Sequence, residues 1–324
     1  MSIKNSFGIL LLSAAFVLTG CDDQSKTQTS STASATNNEK TRTVQHEQGV
    51  TNIPLHPQKV VVINTQTLDT MDALGVNIVG VPKSSVKLPV FLAKYEQDQY
   101  TNVGTLFEPN YELLSSLKPD LIMAGGRSAD AYGKLSEIAP TISVAVDPKN
   151  MVSSMKSVTI ELGEIFDKKP QADALVQQFE QKIEQVKKHV NPNDTALVIM
   201  INGGKMAAYG PGTRFGFIYD ALGFKPATTF AQAGKHGNVM NAEMLLTVNP
   251  DWLFVLDRDS AIGNTKAESA QQVLDNALVH KTKVWNNNHI VYLDSSSMYL
   301  AGGIQTYMQL LDQVEQVLTN AKDD

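Results

Sequence analysis

The sequence contains one cysteine in 324 residues, which excludes a disulfide framework and any Cys-rich zinc or iron–sulfur site. No apolar run reaches the roughly 20 residues that a bilayer-spanning helix needs. Basic charge is also in short supply: 27 Lys and Arg stand against 33 Asp and Glu, a net charge of −6. A nucleic-acid binder, which needs clustered basic charge against phosphates, is therefore not expected. Enzyme signatures are missing too. There is no G-x-S-x-G elbow and no H-E-x-x-H helix, and the glycine-rich run Gly210–Gly216 lacks the Gly-Lys-Ser/Thr ending of a phosphate loop. The six histidines are scattered, so a carrier of bare zinc or manganese, which needs converging His and carboxylate ligands, is not expected either. What remains is a non-spanning globular protein, long enough for about two domains.

The lone cysteine is informative. Lys4, an apolar stretch from Phe7 to Val17 and then Leu18-Thr19-Gly20-Cys21 describe an export signal over residues 1–20. LTGC resembles a bacterial lipobox, which makes Cys21 the expected lipidated first residue of the mature chain. In a Gram-negative envelope, Asp22 directly after it resembles an inner-membrane retention signal, placing the protein on the periplasmic face of that membrane. Residues 21–48 are rich in Ser, Thr, Asn and Gln and nearly free of large apolar side chains, the composition of a flexible tether.

The body alternates short β-branched runs with helical segments. Val60-Val61-Val62-Ile63, Ile78-Val79-Gly80-Val81 and Leu121-Ile122-Met123-Ala124 read as buried strands, which predicts parallel or mixed sheets with crossovers. Apolar residues at helical spacing from Met155 to Val186, divided at Lys168-Lys169-Pro170, predict a long helical stretch over 153–190. Strand signals resume at Ala196-Leu197-Val198-Ile199-Met200. The predicted organisation is an N-terminal α/β lobe (49–152), a connecting helix (153–190) and a C-terminal α/β lobe (191–324).

The two lobes repeat each other. Glu112 precedes Pro119-Asp120 as Glu243 precedes Pro250-Asp251, and an arginine follows each acid by the same interval, Arg127 and Arg258. Asp72-Ala73-Leu74-Gly75 likewise matches Asp220-Ala221-Leu222-Gly223. Duplicated units predict two related lobes, with the loops after their strands facing a shared cleft. The chain has only four arginines against 23 lysines. Arg42 falls in the tether, and Arg127, Arg214 and Arg258 each follow a strand or a glycine-rich turn. Guanidinium forks suit delocalised oxygen anions, so the cleft is expected to bind a small anionic ligand.

The Glu112…Arg127 unit, GPGTRFGFIYDALGF (210–224), KHGNVMNAEMLLTVNPDWLFVLDRDSAIG (235–263) and SSSMYLAGGI (295–304) together resemble a class III periplasmic siderophore-binding lipoprotein of an iron(III)-catecholate ABC transporter. The resemblance covers about residues 50–320. It implies two α/β lobes joined by a rigid helix, no enzymatic activity and no intrinsic cofactor, the ligand being an iron(III)–siderophore complex. It implies that Arg127, Arg214 and Arg258 line the cleft and pair with that anion. His236 and Tyr299 match the family's iron-contacting pair; together they would complete an octahedron left open by two catechols. The SMYL segment departs from the tryptophan–tyrosine form common in such proteins. Glu112 and Glu243 would dock a monomeric carrier on the two halves of a permease coupled to its ATPase. A haem or cobalamin carrier of the same fold is the alternative.

Overall fold

A computed structural model describes residues 40–230 and 236–323. The expected signal segment, Cys21 and the tether as far as residue 39 lie outside the described residues.

The chain enters through a hairpin, β1 (Thr41–His46) and β2 (Gly49–Pro54), paired antiparallel. This corrects the expected tether, which was drawn through residue 48. The segment is polar enough to read as a linker, yet Val44 and Ile53 turn inward and are buried. Arg42, placed in the tether by the sequence, is part of the fold. Its guanidinium donates to the Leu55 carbonyl (2.6 Å) and to the Glu164 carbonyl at the end of a helix.

The first lobe is built on β3 (Val60–Val62), β4 (Gly80–Val81), β5 (Thr101–Asn102), β6 (Leu121–Ala124) and β7 (Thr141–Ser143). All neighbours are parallel, in the order β5-β4-β3-β6-β7. β3 and β6 are buried along their whole length, as an unbroken apolar run requires when both faces of a parallel sheet are covered. Helices α1 (Thr65–Ala73), α2 (Tyr111–Leu117) and α3 (Tyr132–Ser136) belong to this lobe.

Two helices follow where one was expected. α4 (Met151–Ile165) and α5 (Lys169–Lys187) form an antiparallel pair, linked by the Lys156–Glu180 ion pair. The break comes at Asp167, in the left-handed region at φ 55°, and Pro170 in the first turn of α5 could not have continued α4. Gly163 lets the pair close up, since a Cβ there would lie 2.4 Å from that of Ala172. The connection is therefore α5 with α4 folded back on it, not a single helix over 153–190.

The second lobe holds β8 (Thr195–Asn202), β9 (Lys205–Tyr209), β10 (Lys225–Pro226), β11 (Asn238–Met240), β12 (Trp252–Asp257) and β13 (Ile290–Tyr292). Its sheet runs β11-β9-β8-β12-β13, with β10 added on β8. The β8–β12–β13 part is parallel, while β9 and β11 are antiparallel additions. Its helices are α6 (Phe217–Asp220), α7 (Ala242–Val248), α8 (Arg258–Ala261), α9 (Ala270–Leu274), α10 (Lys283–Asn286) and the terminal α11 (Ile304–Asp323).

The duplication is physical. Asn110 caps α2 by accepting from Leu113 N (3.0 Å), and Asn241 caps α7 from Met244 N (2.8 Å). Both helices end on a left-handed residue, Lys118 and Asn249, before the proline. The next aspartate then pins the first strand of its lobe. Asp120 accepts from Gln58 N (2.7 Å) and Lys59 N (2.9 Å), and Asp251 accepts from Thr195 N (2.9 Å).

The described residues from 40 onward form one compact unit. Its largest apolar cluster runs from Leu68 and Met71 in the first lobe through Phe179 on α5 to Val198 and Phe217 in the second. Phe217 stacks on Phe179 (6.1 Å between centroids) and packs on Tyr307 of α11 (4.7 Å). The lobes therefore share a core at their base, which favours a rigid junction.

Candidate functional site

Arg127 follows β6 through Gly125 and Gly126. Gly125 has φ 119°, and a Cβ there would lie 2.2 Å from the Val144 carbonyl oxygen, so only glycine allows this turn. Arg258 opens α8 at the end of β12, where the Asp257 carboxylate fixes the corner by accepting from Ser260 N (2.9 Å) and Ala270 N (2.8 Å). Arg214 follows β9 through the turn Gly210–Gly212, held by Thr213 Oγ1 donating to the Gly210 carbonyl (2.7 Å).

All three converge on Tyr299, which sits in a π-helical turn, Ser297–Ala301. Such turns splay carbonyls that an α-helix would use internally. The Tyr299 carbonyl accepts from Arg127 Nη2 (2.8 Å) and from Arg214 Nη2 (2.6 Å). The Tyr299 hydroxyl accepts from Arg258 Nε (2.9 Å), while Arg258 Nη1 reaches Asn202 Oδ1 (3.0 Å). The three Cζ atoms stand 4.9, 5.4 and 5.4 Å from the Tyr299 ring centroid.

Among the described residues no ion pair involves any of these arginines. Burial pulls the Arg127 guanidinium below its ordinary value; the neighbouring charge of Arg258 acts in the same direction, and Tyr299 opposes both. Arg214 is lowered first by burial and then by Arg127. Arginine stays protonated through such shifts, so the site holds three like charges compensated by dipoles and a π face.

A cavity of about 420 Å³ opens here, within the range of small-molecule sites. Arg127, Arg258, Tyr299 and Leu300 line it together with Lys83, Ser84, Lys87 and Phe107. Among the described residues Lys83 Nζ donates only to carbonyls, of Glu96 (3.2 Å) and Gln97 (2.7 Å), so its charge adds to that of the arginines. Lys87 pairs with Glu96 (3.0 Å).

Two of the expected site residues stand apart from the others. The Arg214 guanidinium donates to the Met298 (3.2 Å) and Tyr299 (2.6 Å) carbonyls and supports the turn, whereas Arg127 and Arg258 line the cavity. His236 is exposed on the turn before β11, directly after residues 231–235, which lie outside the described residues. Among the described residues, no three His, Cys, Asp or Glu side chains cluster as a metal site. Glu112 and Glu243 are exposed in the first turns of α2 and α7, whose caps are the asparagines before them.

The lysines and Phe107 escaped the sequence reading, although Lys83 sits just past the end of β4, where ligand loops of parallel sheets lie. Asp69 escaped it as well. Fully buried on α1, it accepts from Gly303 N (3.0 Å), Gln305 N (2.8 Å), Thr306 N (3.1 Å) and Thr306 Oγ1 (2.6 Å), capping α11 directly after the π-turn. Thr65 and Gln66 of α1 also donate to the carbonyls of Leu300 and Gly302. Thus α1 of the first lobe holds the Tyr299 turn in place.

Burial pushes the Asp69 carboxyl up to about 6, against these hydrogen bonds. A raised folded-state value means that folding takes up a proton between about pH 4 and pH 6, so this contribution to stability is full below the unfolded value and is lost as pH rises through 6. Urea unfolding should show the wild type gaining on Asp69→Asn as pH falls from 7 to 4, by up to about 3 kcal/mol. A pH-independent difference would contradict this.

A sequence profile of the periplasmic binding protein family matches residues 60–297. The petrobactin-binding protein YclQ of Bacillus subtilis is 38% identical over 315 residues, 95% of this chain and 97% of the relative. The ferric-anguibactin-binding protein FatB of Vibrio anguillarum is 32% identical over 274 residues, 83% and 84% of the two chains. The crystal structure of YclQ superposes with a TM-score of 0.81, covering 86% of this chain and 98% of that one. That of the catecholate-siderophore binding protein VctP of Vibrio cholerae gives 0.79 at 32% identity, covering 85% and 99%. With two α/β lobes, a shared base and a ligand-sized cavity at the strand ends, this chain belongs to the periplasmic binding protein family.

Proposed function

We propose that this protein is the substrate-binding component of an ABC importer for ferric siderophores of the catecholate class. The observation that carries this reading is the set of three arginines around Tyr299, free of carboxylate partners among the described residues, beside a cavity of about 420 Å³. A ferric catecholate spreads negative charge over its oxygens, and guanidinium forks and a nearby ammonium match that distribution. The names of YclQ, FatB and VctP, each a siderophore-binding protein, support the ligand class. Iron arrives as cargo held by the siderophore. Tyr299 presents a phenol at the cavity wall and is the chain's candidate iron ligand where the siderophore leaves positions open. His236, exposed on the turn before β11, is the second candidate.

In this reading Cys21 carries the lipid anchor, and the polar residues after it tether the body to the outer face of the cytoplasmic membrane. Several acyl chains hold a protein where one would not. Cys21→Ala should lose acyl label and leave the membrane fraction. Exposed Glu112 and Glu243, one on each lobe, address the permease.

Fluorescence titration with ferric tris-, bis- and monocatecholates tests the ligand class, together with visible spectra of the complexes. Saturable binding with a broad charge-transfer band is the expected result. A Soret band on adding haem, with no response to ferric catecholates, would overturn the reading in favour of a haem carrier.

A further inference from the structure

Phe107 is 71% exposed and lines the same cavity as Arg127, Arg258 and Tyr299. Exposed large apolar side chains are informative when they sit at a concave site. This one is held there. Thr105 N donates to the Glu108 carbonyl (3.0 Å), and Thr105 Oγ1 accepts from Phe107 N (3.3 Å) and Glu108 N (3.0 Å). Below the turn, Gly104 and Pro109 are bridged, and Lys83 N donates to the Gly104 carbonyl (2.9 Å). The loop is thus closed on itself and tied to the neighbouring cavity segment, with its ring outside the core.

The cavity lining therefore combines two chemistries. Arg127, Arg258, Lys83 and Lys87 offer positive charge, whereas Phe107, Leu106, Val86 and Leu88 offer apolar surface. A ligand that is both anionic and aromatic uses both. We infer that Phe107 is a specificity-determining platform on which an aromatic ring of the bound complex lies, selecting aryl-bearing ferric ligands. This rests on the siderophore reading above and adds to it the residue that reads the ring. Offset or edge-on contact between two rings adds to the gain from burial alone, and an aliphatic side chain of similar bulk does not supply it.

The test is a series at one position, titrated with a ferric bis-catecholate. Phe107→Ala should weaken binding by about tenfold, the size of one aromatic pair plus its buried area. Phe107→Leu, which keeps apolar area but not the ring, should lose about three- to fivefold, while Phe107→Tyr and Phe107→Trp should stay within about twofold of the wild type on the same scale. Thermal unfolding midpoints should not move, since the ring contributes little to the core. Wild-type affinity in Phe107→Ala, or full recovery in Phe107→Leu, would overturn the ring platform while leaving the siderophore reading standing. Failure of the wild type to bind any ferric siderophore would overturn both.

Discussion

Replacing Arg127 and Arg258 together by alanine is expected to weaken ferric catecholate binding by about a hundred- to ten-thousandfold. Each removes a charged hydrogen-bond donor that contributes roughly 1.5–3 kcal/mol, or about ten- to a hundredfold. Both guanidiniums line the cavity, and neither has an ion-pair partner among the described residues. Arg214→Ala should weaken binding by about tenfold on the same scale through a different route, because it supports the Tyr299 turn. Loss of fold is not the expected cause. The Arg127 and Arg258 charges oppose each other, which offsets part of the stability lost with their hydrogen bonds to Tyr299, so the unfolding midpoint should move little. Isothermal titration and thermal unfolding on the same variants decide the matter. Wild-type affinity in the double variant would remove the anionic-ligand reading.

Charge reversal at both Glu112 and Glu243 should nearly abolish iron uptake while leaving siderophore affinity within about twofold of the wild type. The acids lie exposed on α2 and α7, at matching places on the two lobes. Stability alone does not account for the match, since Asn110 and Asn241 already cap these helices. An acid in a first turn adds only about 0.3–1 kcal/mol through the helix dipole, so Glu112→Lys and Glu243→Lys should fold. Paired acids suit a partner with two related halves, where complementary charge sets orientation and encounter rate. Uptake of radiolabelled iron in cells lacking the native protein, beside ligand titration of the purified variants, separates delivery from capture. Full uptake by the double variant at normal expression would end the docking proposal.

Much of the fold was legible because it is written locally. Val60-Val61-Val62 and Leu121-Ile122-Met123-Ala124 are apolar without alternation, which describes strands covered on both faces, and both are fully buried. The repeated acid, Pro-Asp and arginine spacing announced two related lobes, and the structure supplies its chemistry in the paired caps and strand-pinning aspartates. Scarcity made the arginines visible, and all three touch one tyrosine that the sequence had also singled out.

What the sequence could not decide depends on which distant groups meet. The hairpin at Thr41–Pro54 has only Val44 and Ile53 to mark its buried face, too few for a period to show. Pro170 marked the division of the helical stretch, but that its two halves fold back on each other is set by the close approach of Gly163 to Ala172. Helix α1 has mixed spacing because polar and apolar residues alike are buried, Thr65, Thr67, Asp69 and Thr70 among them. Composition and period record how a segment meets its surroundings on average, and they predicted the strands, the lobes and a cation-lined cleft. A hydrogen bond between Asp69 and Thr306, 237 positions apart, has no local signature, and only the closed chain made that carboxylate the cap that holds the Tyr299 turn.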